Sequence, residues 1–320
     1  MVVEPEKLLP TAIFLMGPTA SGKTSLAVEL VRRLPCDIIS VDSALVYRGL
    51  DIGTAKPDPE LLAQAPHRLI DICDPTEVYS AARFRSDALA EMTAITSAGR
   101  IPLLVGGTML YFRALQYGLS ELPEADQAIR SRLAMDAQIH GWEEMHARLK
   151  SVDPHAAARI HPNDPQRIQR ALEVFEITGR PLSRLQNRDG RQVLNYRILK
   201  LVLAPADRTV LHRRIEARFL QMLDMGLEAE VRGLLETYEL TPDTPSMRLV
   251  GYRQMLEYLL GGSDRKTMIN RGIVATRQLA KRQLTWIRSE NGARQLDEEQ
   301  GDFADQVLKI LESNTITIES

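Results

Sequence analysis

Short apolar runs, each closed by Gly, Pro or Asp, punctuate the chain, and longer segments with a helical period separate them. The runs Ala12–Met16, Asp37–Val41, Arg68–Ile72, Ile101–Val105 and Ile198–Leu203 have the length and continuity of strands buried on both faces. Ser25–Leu34 and Ala81–Ala98 read as helices between them. Alternation of strand and helix predicts a doubly wound α/β sheet, parallel and flanked by helices. The fourth and fifth runs lie too far apart for one crossover, so residues 120–191 read as an all-helical insertion domain. It begins at the turn-like Leu122-Pro123-Glu124 and contains Asn163-Asp164-Pro165, a helix start with an Asn or Asp cap and Pro in the first turn. The core is then formed by residues 1–119 and 192–320. Everything after the fifth run reads as helical, with Ile269, Ile273, Ala280, Leu284 and Ile287 on one apolar stripe and Arg277, Lys281 and Arg288 on a neighbouring face.

At 320 residues, 44% apolar and 26% charged, the chain falls in the range of globular proteins, outside the collagen-like, disordered and disulfide-scaffold classes. The apolar run Ala12–Met16 is too short for a membrane span or a signal segment, and a cytoplasmic protein is expected. Cys36 and Cys73 can supply neither a disulfide framework nor a four-ligand zinc site, so any metal is held by oxygen. His140, His146, His155 and His161 lack zinc-ligand spacing and read as surface or structural residues.

The net charge of −2 hides an uneven distribution. Arg265 to Arg288 holds seven basic residues and no acid, and the 32 residues that follow hold eight acids against Arg294 and Lys309. A second arginine-rich stretch, Arg159, Arg167, Arg170, Arg180, Arg184, Arg188 and Arg191, faces only four acids. Either could be a solvated helix face or a nucleic-acid footprint.

The first strand runs directly into Gly17-Pro18-Thr19-Ala20-Ser21-Gly22-Lys23-Thr24 and then into a helix, which is the Walker A spacing in its required context. Gly17 and Gly22 permit successive N–H groups to converge on an oxyanion, and the helix N-terminus adds its dipole. Lys23 supplies a point charge, and the Thr24 hydroxyl is the expected Mg²⁺ ligand. The fold class is therefore a P-loop NTPase-like sheet with a helical insertion. The loop recognises a di- or triphosphate, ATP by default, and does not specify the rest of the ligand. Asp42, after the second strand, should face the same crevice, as a turn residue, a second-sphere metal ligand or a proton acceptor. The fourth strand ends in Gly106-Gly107-Thr108 with no Walker B aspartate, which counts against a motor ATPase. On these residues a metabolite kinase, a group-transfer enzyme acting on RNA and a non-catalytic RNA-binding switch all stay open.

Further segments narrow the choice: Asp42 through Pro57 with its Gly-Thr-Ala-Lys-Pro end, Val105 to Thr108, Asp164 to Glu173, Val250-Gly251-Tyr252-Arg253-Gln254, and Arg277 to Trp286. With the phosphate loop, in this order, they resemble the tRNA dimethylallyltransferase (IPP transferase) family. That resemblance implies transfer of a dimethylallyl group from dimethylallyl diphosphate to N6 of the adenine beside the anticodon of tRNA, with release of diphosphate. It makes residues 17–24 the diphosphate and Mg²⁺ site, with Arg218 helping to hold the diphosphate. It makes Asp42 the general base and places Thr108 beside the target adenine. It assigns tRNA contacts to Asp42, Ser43, Ala44, Leu45 and Thr108, to Arg130, Gln166, Arg167, Ile168, Gln169 and Arg170 in the insertion, to Met247, Arg248, Leu249, Val250, Gly251 and Tyr252, and to Arg277, Lys281 and Arg282. Many members have Gln where this chain has Leu45, so no polar contact from that side chain carries over. The C-terminal zinc finger of eukaryotic members is not expected, because no cysteine follows Cys73.

Overall fold

The structure, a computed structural model, describes residues 9–120, 122–186 and 194–313. Arg188 and Arg191 of the second arginine-rich stretch lie outside the described residues. The chain divides into two compact units, 1–116 with 194–320, and 117–193.

In the first unit, β1 (Thr11–Met16), α1 (Lys23–Arg33), β2 (Cys36–Val41), α2 (Pro59–Gln64), β3 (His67–Arg68), α3 (Ala81–Ser97), β4 (Ile101–Gly106) and α4 (Met109–Tyr117) follow one another. The second unit holds α5 (Gln127–Val152), α6 (Pro154–Ala157), α7 (Pro165–Thr178) and α8 (Leu182–Leu185). The chain then returns with β5 (Arg197–Val202), α9 (Arg208–Asp224), α10 (Leu227–Thr237), a short 3-10 turn (Pro245–Arg248), α11 (Tyr252–Leu259), α12 (Arg265–Ile287), β6 (Arg294–Gln295) and α13 (Phe303–Ser313).

The strands form one parallel sheet in the order β3-β2-β4-β1-β5-β6. Successive residues of β1 feed opposite faces. Ala12, Phe14 and Met16 join one core with α3 and α11, while Ile13 and Leu15 join another with α1 and α13. Burial on both sides explains why these strands read as unbroken apolar runs.

Two expectations require correction. The run Arg68–Ile72 is a strand only over His67–Arg68, because Leu69 and Asp71 take left-handed backbone (φ 63° and 55°) and break the extended path. The segment after the fifth run is not wholly helical: Arg294–Gln295 adds a short, exposed sixth strand beside β5.

The second unit has its own core, in which Leu133, Leu149, Ile168, Leu172 and Val174 are buried. Its helix α7 starts as expected, with the Asp164 carboxylate accepting from the Arg167 N–H and Pro165 in the first turn. Gly141 departs from helical geometry inside α5 (φ 81°, ψ 160°) and kinks it. His146 Nε2 lies within hydrogen-bond reach of the carbonyls of Ala157 and Ile160, which gives this histidine a structural task.

Candidate active site

Register places the site. Val41 pairs with Gly106, Gly106 with Met16, and Met16 with Val202, so four strands end at one level. The residues that follow, Asp42, Gly107, Gly17 and Leu203, therefore emerge side by side at the carboxyl edge, where parallel α/β sheets present ligands. Only glycine fits at the tip of β4, because a Cβ on Gly106 would stand 2.0 Å from the Val41 carbonyl oxygen. A Cβ on Gly17 would likewise stand 2.2 Å from the Leu203 carbonyl oxygen.

The phosphate loop has the strained backbone its sequence implies. Ala20 (φ 62°) and Gly22 (φ 94°) are left-handed, and Gly22 caps α1. Successive residues in such conformations turn their N–H groups toward one concavity. Lys23 Nζ donates to the Pro18 carbonyl at 2.7 Å and to Ser21 Oγ at 3.4 Å. Burial pulls this ammonium down to about 8, opposed by the Asp42 carboxylate and reinforced by Arg218. The Thr24 side chain, one residue on in the first turn of α1, is exposed.

Asp42 turns at the end of β2 and accepts the Ala44 N–H at 2.8 Å. Burial pushes its carboxyl above the ordinary aspartate range, while the Ala44 N–H, Lys23, the Leu45 N–H and Arg218 pull it partly back. Thr108 Oγ1 accepts the Ser43 N–H at 3.1 Å, fastening the 42–45 turn to the end of β4. Arg218, on α9, donates to the Thr54 carbonyl at 3.5 Å, and burial holds its guanidinium below its ordinary value.

Asp42, Thr108 and Arg218 border a cleft of about 470 Å³, to which the phosphate loop contributes Thr19. Its lining also includes Ser43, Ala44, Arg248, Tyr252, Arg282 and Trp286. Met247 and Tyr252 are fully buried, and of the two only Tyr252 lines the cleft. Gly251 (φ 95°) turns the chain into α11, and Leu249 and Val250 are half-buried. Arg248 is exposed and pairs with Asp243 at 2.8 Å. Lys281 and Arg282 are exposed on α12, whereas Arg277 reaches Glu216 at 2.7 Å.

Two residues without a role in the sequence reading organise the cleft. Gln283 accepts the Thr19 N–H at 2.9 Å and donates to the Gly107 carbonyl at 3.0 Å. Glu230, on α10, accepts the N–H groups of Asp51, Ile52 and Gly53 at 3.0, 2.6 and 3.1 Å and the Tyr252 hydroxyl at 2.6 Å. Gln283 falls inside the Arg277 to Trp286 segment without a role of its own there, and Glu230 lies in none of the segments singled out.

In the other unit, Gln166 and Arg167 are exposed and Ile168 is fully buried. Gln169 donates to the Arg130 carbonyl at 2.8 Å. Arg130 and Arg170 both grip the buried Glu173, at 2.9 and 2.7 Å. Arg167 therefore has the most freely presented guanidinium of these three arginines, with a contact to Asp164 at 3.3 Å.

Asp42, Lys23, Arg218 and the Thr108 hydroxyl thus gather at the carboxyl edge of a parallel, P-loop-like sheet. A family model described as IPP transferase matches residues 45–290. The chain belongs to that family. It is 62% identical to a tRNA dimethylallyltransferase of Thioalkalivibrio sulfidiphilus (strain HL-EbGR7), with 96% of each chain covered. Among solved structures it is similar to a tRNA isopentenylpyrophosphate transferase of Bacillus halodurans, at 37% identity, 97% coverage of each chain and a TM-score of 0.68. It is also similar to a eukaryotic dimethylallyltransferase solved acting on tRNA, at 25% identity and a TM-score of 0.77, covering 96% of this chain and 80% of that one.

Proposed function

We propose that this protein transfers a dimethylallyl group from dimethylallyl diphosphate to N6 of the adenine 3′-adjacent to the anticodon of tRNA. The observation that carries the reading is the neighbourhood of Asp42, Lys23 and Arg218, where a proton acceptor and a leaving-group cradle meet. An exocyclic adenine amine is a weak nucleophile, because its lone pair is delocalised into the ring. Attack on the allylic carbon therefore needs help at both ends.

The Asp42 carboxylate, oriented by the Ala44 N–H, accepts the N6 proton as the N–C bond forms. The C–O bond to the diphosphate breaks with its electron pair on oxygen. Lys23, Arg218 and the loop N–H groups stabilise that growing charge. Thr108, tied to Ser43, sets the wall against which the base rests.

The donor set around the loop fits Mg²⁺. Thr24 offers an exposed hydroxyl at the start of α1, and no cluster of three or more His, Cys, Asp or Glu that could hold a metal occurs among the described residues. An ion there would take the Thr24 hydroxyl, waters and the ligand's own phosphate oxygens. Such an ion would add charge neutralisation to the diphosphate.

The target amine is stacked within an RNA loop and must be extruded to reach Asp42. Exposed Lys281 and Arg282 on α12 and Arg167 on α7 suit contacts with RNA phosphates, which position without reading sequence. No helix among the described residues is long and apolar enough to cross a membrane.

Incubation with Mg²⁺, radiolabelled dimethylallyl diphosphate and unmodified tRNA tests this reading. Label should enter the RNA in step with diphosphate release. Release of ADP in proportion to a phosphorylated metabolite, with the RNA unlabelled, would overturn it in favour of a kinase.

A further inference from the structure

The helix that presents Lys281 and Arg282 to solvent also reaches into the phosphate loop. Two residues beyond Lys281, the Gln283 side chain spans from the Thr19 N–H (2.9 Å) to the Gly107 carbonyl (3.0 Å). It thereby links three elements far apart in sequence: the loop after β1, the end of β4 and α12. The fit is close. A Cβ on Gly107 would stand 2.3 Å from the Gln283 amide nitrogen, so the glycine leaves the space this amide occupies. The bond to Thr19 engages one N–H of a loop whose N–H groups form the anion cradle. Fixing that peptide fixes the orientation of the amides beside it.

We propose that Gln283 is a positioning residue for the diphosphate donor: its amide sets the phosphate loop against the tip of β4 from the RNA-facing helix. The inference rests on the reading that the loop holds the donor's diphosphate. It assigns Gln283 no contact with the reacting atoms. Loss of the tie should therefore weaken donor capture more than RNA capture, although Gln283 lies on the RNA-facing helix.

Two independent variants displace the same amide. Gln283→Leu removes both hydrogen bonds at similar size. Gly107→Ala pushes a methyl group into the amide's place and to 3.1 Å from the Gly17 carbonyl oxygen, and Gly107 has no left-handed backbone that would resist alanine. The KM for dimethylallyl diphosphate and the KM for an unmodified anticodon stem-loop are measured separately for each, with thermal unfolding alongside.

The expected result is a rise of roughly ten-fold in the donor KM for either variant, with an RNA KM within about two-fold of the parent. The double variant should fall well short of the sum of the two single effects, because both variants displace the same amide. A donor KM that stays at the parental value in a folded variant, equal rises in both KM values, or fully additive effects would each overturn the proposal. If the parent protein shows no saturable use of dimethylallyl diphosphate, the underlying reading of the loop fails and the proposal falls with it. Saturation by the parent with no change in either variant removes Gln283 alone.

Discussion

Asp42 and Lys23 sit close enough for each to stabilise the other's charge, yet burial draws their ionisations toward one another, the carboxyl upward and the ammonium down to about 8. Both groups must be charged for the proposed reaction, so kcat/KM for the donor should follow a bell. The base works only when deprotonated, and activity rises with pH through the raised Asp42 value, above the ordinary aspartate range. The ammonium works only when protonated, and activity falls as pH rises through about 8 in the free protein. Bound diphosphate favours the ammonium form, so the alkaline limb of kcat should lie higher than that of kcat/KM. A flat kcat/KM profile from pH 5 to 9 would contradict the pairing.

Asp42→Asn keeps the size and most of the turn geometry but removes the proton acceptor. Turnover should fall by about 10²–10⁴, while affinity for unmodified tRNA stays near that of the parent. Single-turnover rates and filter binding separate the two effects. An unchanged single-turnover rate would remove Asp42 from the mechanism.

Glu230 is expected to matter to the cleft without touching its contents. Its carboxylate accepts three consecutive backbone N–H groups of the 51–53 turn and the Tyr252 hydroxyl. Asp51 is exposed and Ile52 and Gly53 are half-buried, so each loss there should fall toward the low end of the roughly 1–3 kcal/mol that an unpaired buried donor costs, and the buried Tyr252 toward the high end. Glu230→Ala should therefore lower Tm by about 5 °C or more, and Tyr252→Phe, which loses one bond, should lower it less. Gly53→Ala should also destabilise, by about 1–3 kcal/mol, because its Cβ would stand 2.6 Å from the Tyr252 ring. Equal Tm values for the parent and Glu230→Ala would show that the turn holds itself.

The contrast between Lys23 and Glu230 shows what a sequence can disclose. The phosphate loop was legible because its residues are contiguous and Gly22 answers a local demand, its left-handed backbone at the start of α1. The central strands were legible because burial on both faces leaves an unbroken apolar run. The third strand was overread, since Leu69 and Asp71 carry no glycine-like signal for their left-handed backbone. The sixth was missed because Arg294 and Gln295 are exposed and polar. Glu230 reaches the 51–53 turn and Gln283 reaches Thr19 and Gly107, all more than 170 residues away in sequence, and no spacing rule connects them.

In the helical unit, Glu173 is fully buried and accepts from Arg130, Arg170 and the Asp126 N–H. Burial alone would push its carboxyl up, but these hydrogen bonds together hold it below the ordinary glutamate range. A depressed carboxyl contributes stability that is present above its unfolded pKa and lost as pH falls through the folded value. This unit should therefore lose stability below about pH 4. Glu173→Gln should cost about 1–3 kcal/mol at neutral pH, less than a fully enclosed pair, because Arg130 is 40% exposed and Arg170 29%. The variant's melting curve should also lose part of its acid dependence, and an unaltered pH profile of Tm would refute the assignment.

Arg130 and Lys281 were both expected to contact tRNA, and their surroundings now separate them. Lys281 is exposed on α12 in a groove whose lining also includes Arg208, His212 and Arg288 and contains no acidic residue. A cation so placed can meet a phosphate at little desolvation cost and release its counterion. Lys281→Ala should weaken tRNA binding and reduce the slope of log K against log salt by roughly 0.7–0.9. Arg130 is committed to a buried carboxylate, and moving it to a phosphate would leave Glu173 with one cation fewer. Arg130→Ala should therefore lower Tm and leave the salt slope within error of the parent. Titrations at several salt concentrations on both variants decide the matter: a full unit of slope lost from Arg130→Ala, with Tm unchanged, would make Arg130 an RNA contact, and an unchanged slope in Lys281→Ala would make the basic helix a solvated face.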